Sequence, residues 1–333
     1  LQHRMKILIR EGSAAKNFDV LIPLMDEYAD DIMFCSDDKH PDDLELGHIN
    51  QLVSRAIASG YDTMNVLRSA TLNPVMHYGL EVGLLQPGDP ADFIVVNNLK
   101  DFKILKTVIH GDVVAENGTC NLPDDQHPVI NHFSCSPKHP HDFRVKAEGQ
   151  SLNIIEALDG QLITLHFRSQ LKSKDGYLLS DTEKDILKIA VINRYSDAPP
   201  AVGMIKNFGI KRGAMASSVA HDSHNIIAVG VNDDDLCRAV NLLIQHRGGL
   251  CVVDETEELA LPLPVAGLLS PSDGPSVARQ YSLLDKKVKA LGSTLRAPYM
   301  TLSFMALLVI PEFKISDLGL FDAVNFRFTK LFS

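Results

Sequence analysis

The chain has 333 residues, with 32 Lys and Arg against 42 Asp and Glu, and a formal net charge of −10 at pH 7. No run of Lys and Arg stands apart from this acidic average, which disfavours nucleic acid and anionic lipid as partners and leaves a small uncharged substrate open. Hydrophobic residues at 45% and charged residues at 22% are the balance of a folded protein of two or three domains, not of a disordered chain. No apolar stretch approaches the ~18 residues that cross a bilayer, and LQHRMKILIREG lacks the apolar core and cleavage site of a signal peptide, so a soluble, cytoplasmic protein is expected. The five cysteines, Cys35, Cys120, Cys135, Cys237 and Cys251, show no CxxC spacing and argue against a disulfide framework or a structural zinc site.

In chain order, Met5 to Arg10 reads as a short strand, Val20, Leu21, Leu24 and Met25 have helical spacing, and Ile32 to Phe34 reads as a second strand. A helix starting near Pro41 to Asp43 would present Leu44, Ile49, Leu52, Val53 and Ile57 as its apolar face and stop at Gly60; Asp62 is placed to cap a further helix through Ala70. Strand and helix alternate, as in parallel βα units of a barrel or a doubly wound sheet.

From about Gly79 turns and short strands take over, with a strand at Phe93 to Val96 and a hairpin turning at His110 to Asp112. Residues 123–142 carry four prolines and four histidines without an apolar period, the texture of a solvated linker. Beyond Leu152, ILKIAVI and GGLCVVD read as strands and SVAHDSHNIIAVG as a turn ending in one, while NDDDLCRAVNLLIQH reads as a helix with Asp233 as its cap.

Two constellations could carry chemistry. In FCSDDKHP, Asp37 and Asp38 follow a buried-looking strand at the end where barrel enzymes place their active face. One carboxylate could bind a divalent cation and the other exchange a proton, although the same residues would serve as helix caps in water. Arg10 and Glu11 follow the first strand and could face the same rim, or form a surface ion pair. In SVAHDSHN, His221 and His224 lie three apart and would share a face of a helical turn, fit for metal ligation, proton transfer or contact with the edge of a heterocycle, or simply for satisfying backbone groups.

On REGSAAKN, FCSDDKHPDDL, ATLNPVMHYGL, PGDPADFIVV, GIKRGAMASSVAHDSHNIIAVGVND and LPLPVAGLLS, which occur in the family's order over nearly the whole chain, the sequence resembles the C-terminal part of an adenine deaminase of the amidohydrolase superfamily. The resemblance implies an α/β fold: the terminal section of a (β/α)8 metal-dependent hydrolase barrel in residues 1–76, a small β-sandwich element in 77–122, a linker in 123–150 and an added C-terminal α/β domain in 151–333. It implies hydrolysis of adenine to hypoxanthine and ammonia with a divalent metal, manganese or iron. Asp37 matches the carboxylate that ligates metal and exchanges a proton, Asp38 would sit against the purine or support its neighbour, and His221 and His224 match a motif assigned a closing, substrate-binding role.

Most of the family's metal ligands lie on earlier strands that this chain does not contain, and its one His-x-His sequence, His139 to His141, falls in the expected linker. The chain is therefore expected to be a portion of a longer enzyme, inactive by itself, whose complete form could be a homo-oligomer. Two alternatives stay open: an amidohydrolase acting on another cyclic amide or aminopurine, and a non-catalytic interaction scaffold derived from one.

Overall fold

The computed structural model describes residues 3, 5–123, 128–149 and 151–332. The chain forms two compact units, Leu1–Gln126 and His127–Ser333.

In the first unit the strands Ile7–Arg10 and Ile32–Cys35 pair in parallel, with Ile7 opposite Ile32 and Arg10 opposite Cys35. Parallel pairing puts both carboxyl ends on one side, so the loops 11–17 and 36–40 share a rim. The helical spacing between them does not yield one helix. Phe18–Leu21, Ile22–Leu24, Met25–Tyr28 and Ala29–Asp31 alternate α and 3₁₀ turns, because Pro23 lacks the N–H that a continuous α-helix would use. The expected helix from Pro41 to Gly60 is likewise two, Pro41–Leu46 and Ile49–Ala58, parted at Gly47, whose φ of 144° an L side chain rarely adopts. Leu44 consequently lies outside the apolar face and is 46% exposed, whereas Leu52, Val53 and Ala56 are buried with Ile9, Phe18, Ile32 and Phe34.

Asp62 does cap the helix Thr63–Ala70, its Oδ1 accepting from the Asn65 N–H at 2.9 Å. On the following helix, Leu72–Tyr78, the buried Asn73 amide donates to the carbonyls of Ala29 and Ile32 and so anchors the helix to the second strand. A four-stranded antiparallel sheet, Phe93–Val96, Ile104–Ile109, Asp112–Glu116 and Thr119–Cys120, completes the unit with its hairpin turn at His110 and Gly111.

The second unit is built on an eight-stranded sheet. Its spatial order is Glu258–Pro262, Gly249–Val253, Ala214–Ser217, Ile226–Gly230, Ile186–Ile192, Ala201–Lys206, Leu152–Ala157 and Thr164–Ser169. Only the pair Ala201–Lys206 and Leu152–Ala157 is parallel. Every residue of Ile186–Ile192 is buried, which requires cover on both faces. Helix Asp233–His246 supplies one cover, packing Leu236, Ala239, Val240 and Leu243 on Ala190, Ala214, Ala216, Ala228 and Cys251. Its cap is Asn232, not Asp233: the Asn232 side chain accepts from Asp235 N–H at 2.8 Å, while the Asp233 carboxylate pairs with the buried Lys188.

Residues 128–149 differ from a solvated linker. Phe143 is fully buried, Ser134 N–H donates to the Arg194 carbonyl at 2.7 Å, and Lys138 N–H donates to Asn241 Oδ1 at 2.8 Å. Prolines leave the segment no regular ladder, so backbone and side-chain groups of the rest of the second unit satisfy its backbone. Asp124 to His127 lie outside the described residues. Among the described residues no helix is long and apolar enough to cross a membrane.

Candidate functional site

The rim of the first unit is knitted by short backbone and carboxylate contacts. Ser13 N–H donates to the Asp38 carbonyl at 2.9 Å, the Ser13 hydroxyl donates to Asp43 Oδ2 at 2.5 Å, and His40 N–H donates back to Ser13 Oγ at 2.9 Å. Gly12 permits this approach: a Cβ there would stand 2.8 Å from the Asp38 carbonyl oxygen. Asp37 and Asp38 are both exposed on the rim.

Asp37 has φ 58°, a left-handed conformation that Asp tolerates better than most residues. One of its oxygens pairs with Arg10 Nη1 and the other accepts the Asp38 N–H at 2.7 Å. Arg10 thus faces the rim and pairs there with Asp37, while Glu11 turns to Arg55 and Lys16 at 3.3 and 3.7 Å. Behind them, burial and the neighbouring Asp37 charge raise the Cys35 thiol above its usual range.

The rim offers oriented carboxylates but no metal cage. Among the described residues no three His, Cys, Asp or Glu side chains converge to hold an ion, and both oxygens of Asp37 already have partners. These residues alone do not fit a metal. His139 and His141 stack on each other at 5.4 Å in the second unit.

The second polar cluster is the turn Ser218 to Asn225, between the strands Ala214–Ser217 and Ile226–Gly230. It is not helical. His224 has φ 53°, the two rings meet edge to face at 5.8 Å, and His221 stacks on Phe304 at 4.9 Å. His224 N–H closes the turn onto the Ala220 carbonyl at 2.7 Å, and His221 N–H holds the Ser303 carbonyl at 3.2 Å. The Ser218 hydroxyl anchors the start of the turn, donating to the Gly267 carbonyl at 2.5 Å and accepting the Gly249 N–H at 2.7 Å. Burial holds the His224 imidazole below its usual range, with the neighbouring His221 and Arg194 pushing the same way, which favours the neutral ring. Its buried Nδ1 has no hydrogen-bond partner.

Arg194, Tyr195 and Asn131 also belong to this cluster, and sequence reasoning missed them. Arg194 N–H donates to Asn225 Oδ1 at 3.2 Å, its Nη2 donates to the Tyr195 hydroxyl at 2.9 Å, and that hydroxyl donates to the Ser223 carbonyl at 2.8 Å. The only sequence signal was an Arg-Tyr pair just beyond a strand that is apolar but for Lys188.

Against known proteins, residues 161–327 match the profile of the adenine deaminase C-terminal domain and residues 6–114 that of the amidohydrolase family. A protein of Salinibacter ruber named adenine deaminase is 52% identical over 334 residues, covering 100% of this chain and 61% of that protein. Proteins of the same name from Sulfurovum sp. (54% identity, 98% of this chain, 60% of theirs) and Methanosarcina mazei (48%, 99% and 62%) are similar over the same extent. The chain spans about three-fifths of the length of the curated relatives it matches.

Proposed function

Because the chain belongs to the adenine deaminase C-terminal domain family, we propose that it is part of an enzyme that hydrolyses adenine to hypoxanthine and ammonia. The observation that carries the reading is near 50% identity, over essentially the whole chain, to proteins named for that reaction. In the reaction, water adds its oxygen to C6 of the purine, a proton reaches the leaving amine, and ammonia departs.

Asp37 is our candidate for the group that takes and returns that proton. Its place after a core strand, on an exposed rim and oriented by Arg10, suits a carboxylate that must meet solvent and substrate. Asp38 contacts the purine or braces Asp37, and His221 and His224 are substrate-binding groups of the closing motif.

The amidohydrolase match implies a divalent metal in the enzyme, for which we propose manganese or iron. Asp37 is the one ligand we assign here, and no step is routed through the metal because these residues by themselves do not fit one. By the same reasoning the 333 residues alone turn over no adenine. We further propose that 1–76 are closing βα units of a (β/α)8 barrel, 77–122 part of a small β-sandwich and 151–333 the added α/β domain, joined through 123–150. The parallel pair Ile7–Arg10 and Ile32–Cys35 and the antiparallel sheet after it support this arrangement. A cytoplasmic location and a homo-oligomeric complete form complete the proposal.

The test is ammonia release by the longest reading frame containing these 333 residues, with manganese added and with adenine, guanine or cytosine as substrate. Turnover of adenine alone supports the reading. Turnover of another ring in its place would move the assignment to a different amidohydrolase reaction, and no turnover of any ring would favour the non-catalytic scaffold.

A further inference from the structure

Buried cations in the second unit are relieved in one of two ways, and Arg194 is the exception to both. Lys188 and Lys138 are buried but pair with Asp233 and Asp197. Among the described residues Lys314, 0% exposed, gives its amine only to the Leu162 carbonyl at 2.7 Å, and burial lowers its pKa to about 7, so it can shed its proton. A guanidinium cannot do so in a protein.

Arg194 is 4% exposed. Among the described residues its guanidinium hydrogen-bonds only to the Tyr195 hydroxyl and, at 3.5 Å, to Asn131 Oδ1; its Nε is buried without a partner, and no carboxylate pairs with it. The Tyr195 ring lies 4.7 Å from the guanidinium carbon. The fold makes room for the group. Gly267 has φ +72°, and a Cβ there would overlap Arg194 Nη1. A buried charge compensated only by neutral groups is costly to stability, and such groups concentrate where a function uses the field.

The field falls on the turn that carries the two histidines. Arg194 holds that turn at two points, by its own N–H to Asn225 and through the Tyr195 hydroxyl to the Ser223 carbonyl. Around His224 the charged or titratable groups are Arg194 from the end of strand Ile186–Ile192, and His221 and Asp222 from the turn itself. Asp222 opposes the other two. A neutral imidazole keeps one ring nitrogen as a hydrogen-bond acceptor, which the imidazolium lacks.

We propose that Arg194 is a positioning residue: its buried guanidinium holds the turn at Ser223 through the Tyr195 hydroxyl and supplies the positive field in which His224 acts as a hydrogen-bond acceptor for an N–H-bearing heterocycle. Adenine, with its exocyclic amine, belongs to that class. The inference rests on the reading of His224 as a substrate-binding group and adds a residue that holds its turn and reinforces the effect of burial on it.

The test is a pH titration of the histidine side-chain resonances by NMR in the complete enzyme, with and without adenine, for the unsubstituted protein, Arg194→Lys and Arg194→Gln. His224 is expected to titrate below the usual imidazole range, to stay there in Arg194→Lys, and to move up in Arg194→Gln, where adenine should bind about tenfold more weakly, the worth of one hydrogen bond. An unmoved His224 titration in folded Arg194→Gln would overturn the positioning role, while a His224 that still responds to adenine would keep the substrate reading. A His224 that ignores adenine in the unsubstituted enzyme would remove that reading and the proposal with it. Should Arg194→Gln not fold, Tyr195→Phe, at a half-exposed ring, keeps the charge and cuts the tether. It should leave the titration in place and weaken the response to adenine, and no change in either would overturn the tether.

Discussion

Arg10 and Arg194 each stand at or just beyond the end of a core strand, yet Arg10 meets the carboxylate of Asp37 on a half-exposed rim, whereas Arg194 is buried and meets only neutral acceptors. The first arrangement is readily exchanged: an exposed pair is screened by water and contributes little to stability, so its carboxylate is available to other partners. The second is held by three surrounding segments, 130–134, the turn 218–225 and Gly267, and can change only if they do. The contrast separates a group placed to react from a group placed to hold others.

Variants that alter the frame should show the largest effects on the buried side of this comparison. Phe143→Ala removes a fully buried ring by which residues 128–149 join the core of the second unit. We expect a loss of about 3–5 kcal/mol in urea unfolding. A loss below about 1 kcal/mol would return that segment to the status of a separable linker.

Lys314 sharpens the contrast with an arginine that cannot lose its proton. Its folded-state pKa of about 7 lies below its usual 10.5, so between these values the unfolded chain binds more protons and stability rises with pH. Lys314→Met should therefore raise stability most at pH 7 and below, with the gain shrinking toward pH 10. A gain independent of pH would show that the amine is not depressed.

At the helix facing the sheet, Asn232→Ala should cost about 1 kcal/mol in urea unfolding through the lost cap, whereas Asp233→Ala should cost more, because it leaves the buried Lys188 amine without its carboxylate; an Asn232→Ala variant as stable as the unsubstituted protein would remove the cap assignment. The smallest change is expected on the open rim, where Arg10→Gln should alter unfolding free energy by less than about 1 kcal/mol. A larger effect would mean that the Arg10–Asp37 pair is structural and would weaken the division drawn between the clusters.

Local features were the most legible in the sequence. Ile7–Arg10, Ile32–Cys35, Ile186–Ile192 and the hairpin at His110 follow from apolar period and turn chemistry, and Asp62 caps where a cap was expected. Errors arose where one residue overrode a pattern: Pro23 broke a helix into turns, Gly47 split another and exposed Leu44, and Asn232 displaced Asp233 as cap. The order of the eight-stranded sheet was not readable, because strands such as Ile186–Ile192 and Ile226–Gly230 pair across two intervening strands, a partnership that local turn chemistry does not encode. Asp37 and the two histidines stood out by their density of polar groups after or before a strand. Arg194 did not, since an arginine following an apolar run carries no mark of its burial until Gly267, Tyr195 and Asn131 are seen around it.

The most direct test of the assigned chemistry is the rate of adenine conversion to hypoxanthine by the complete enzyme and its Asp37→Asn variant under saturating adenine and added manganese. The proton-exchanging role of Asp37 predicts a fall of about a hundredfold or more in the variant. Adenine turned over equally fast with asparagine at position 37, or adenine left untouched by the unsubstituted enzyme, would contradict the account.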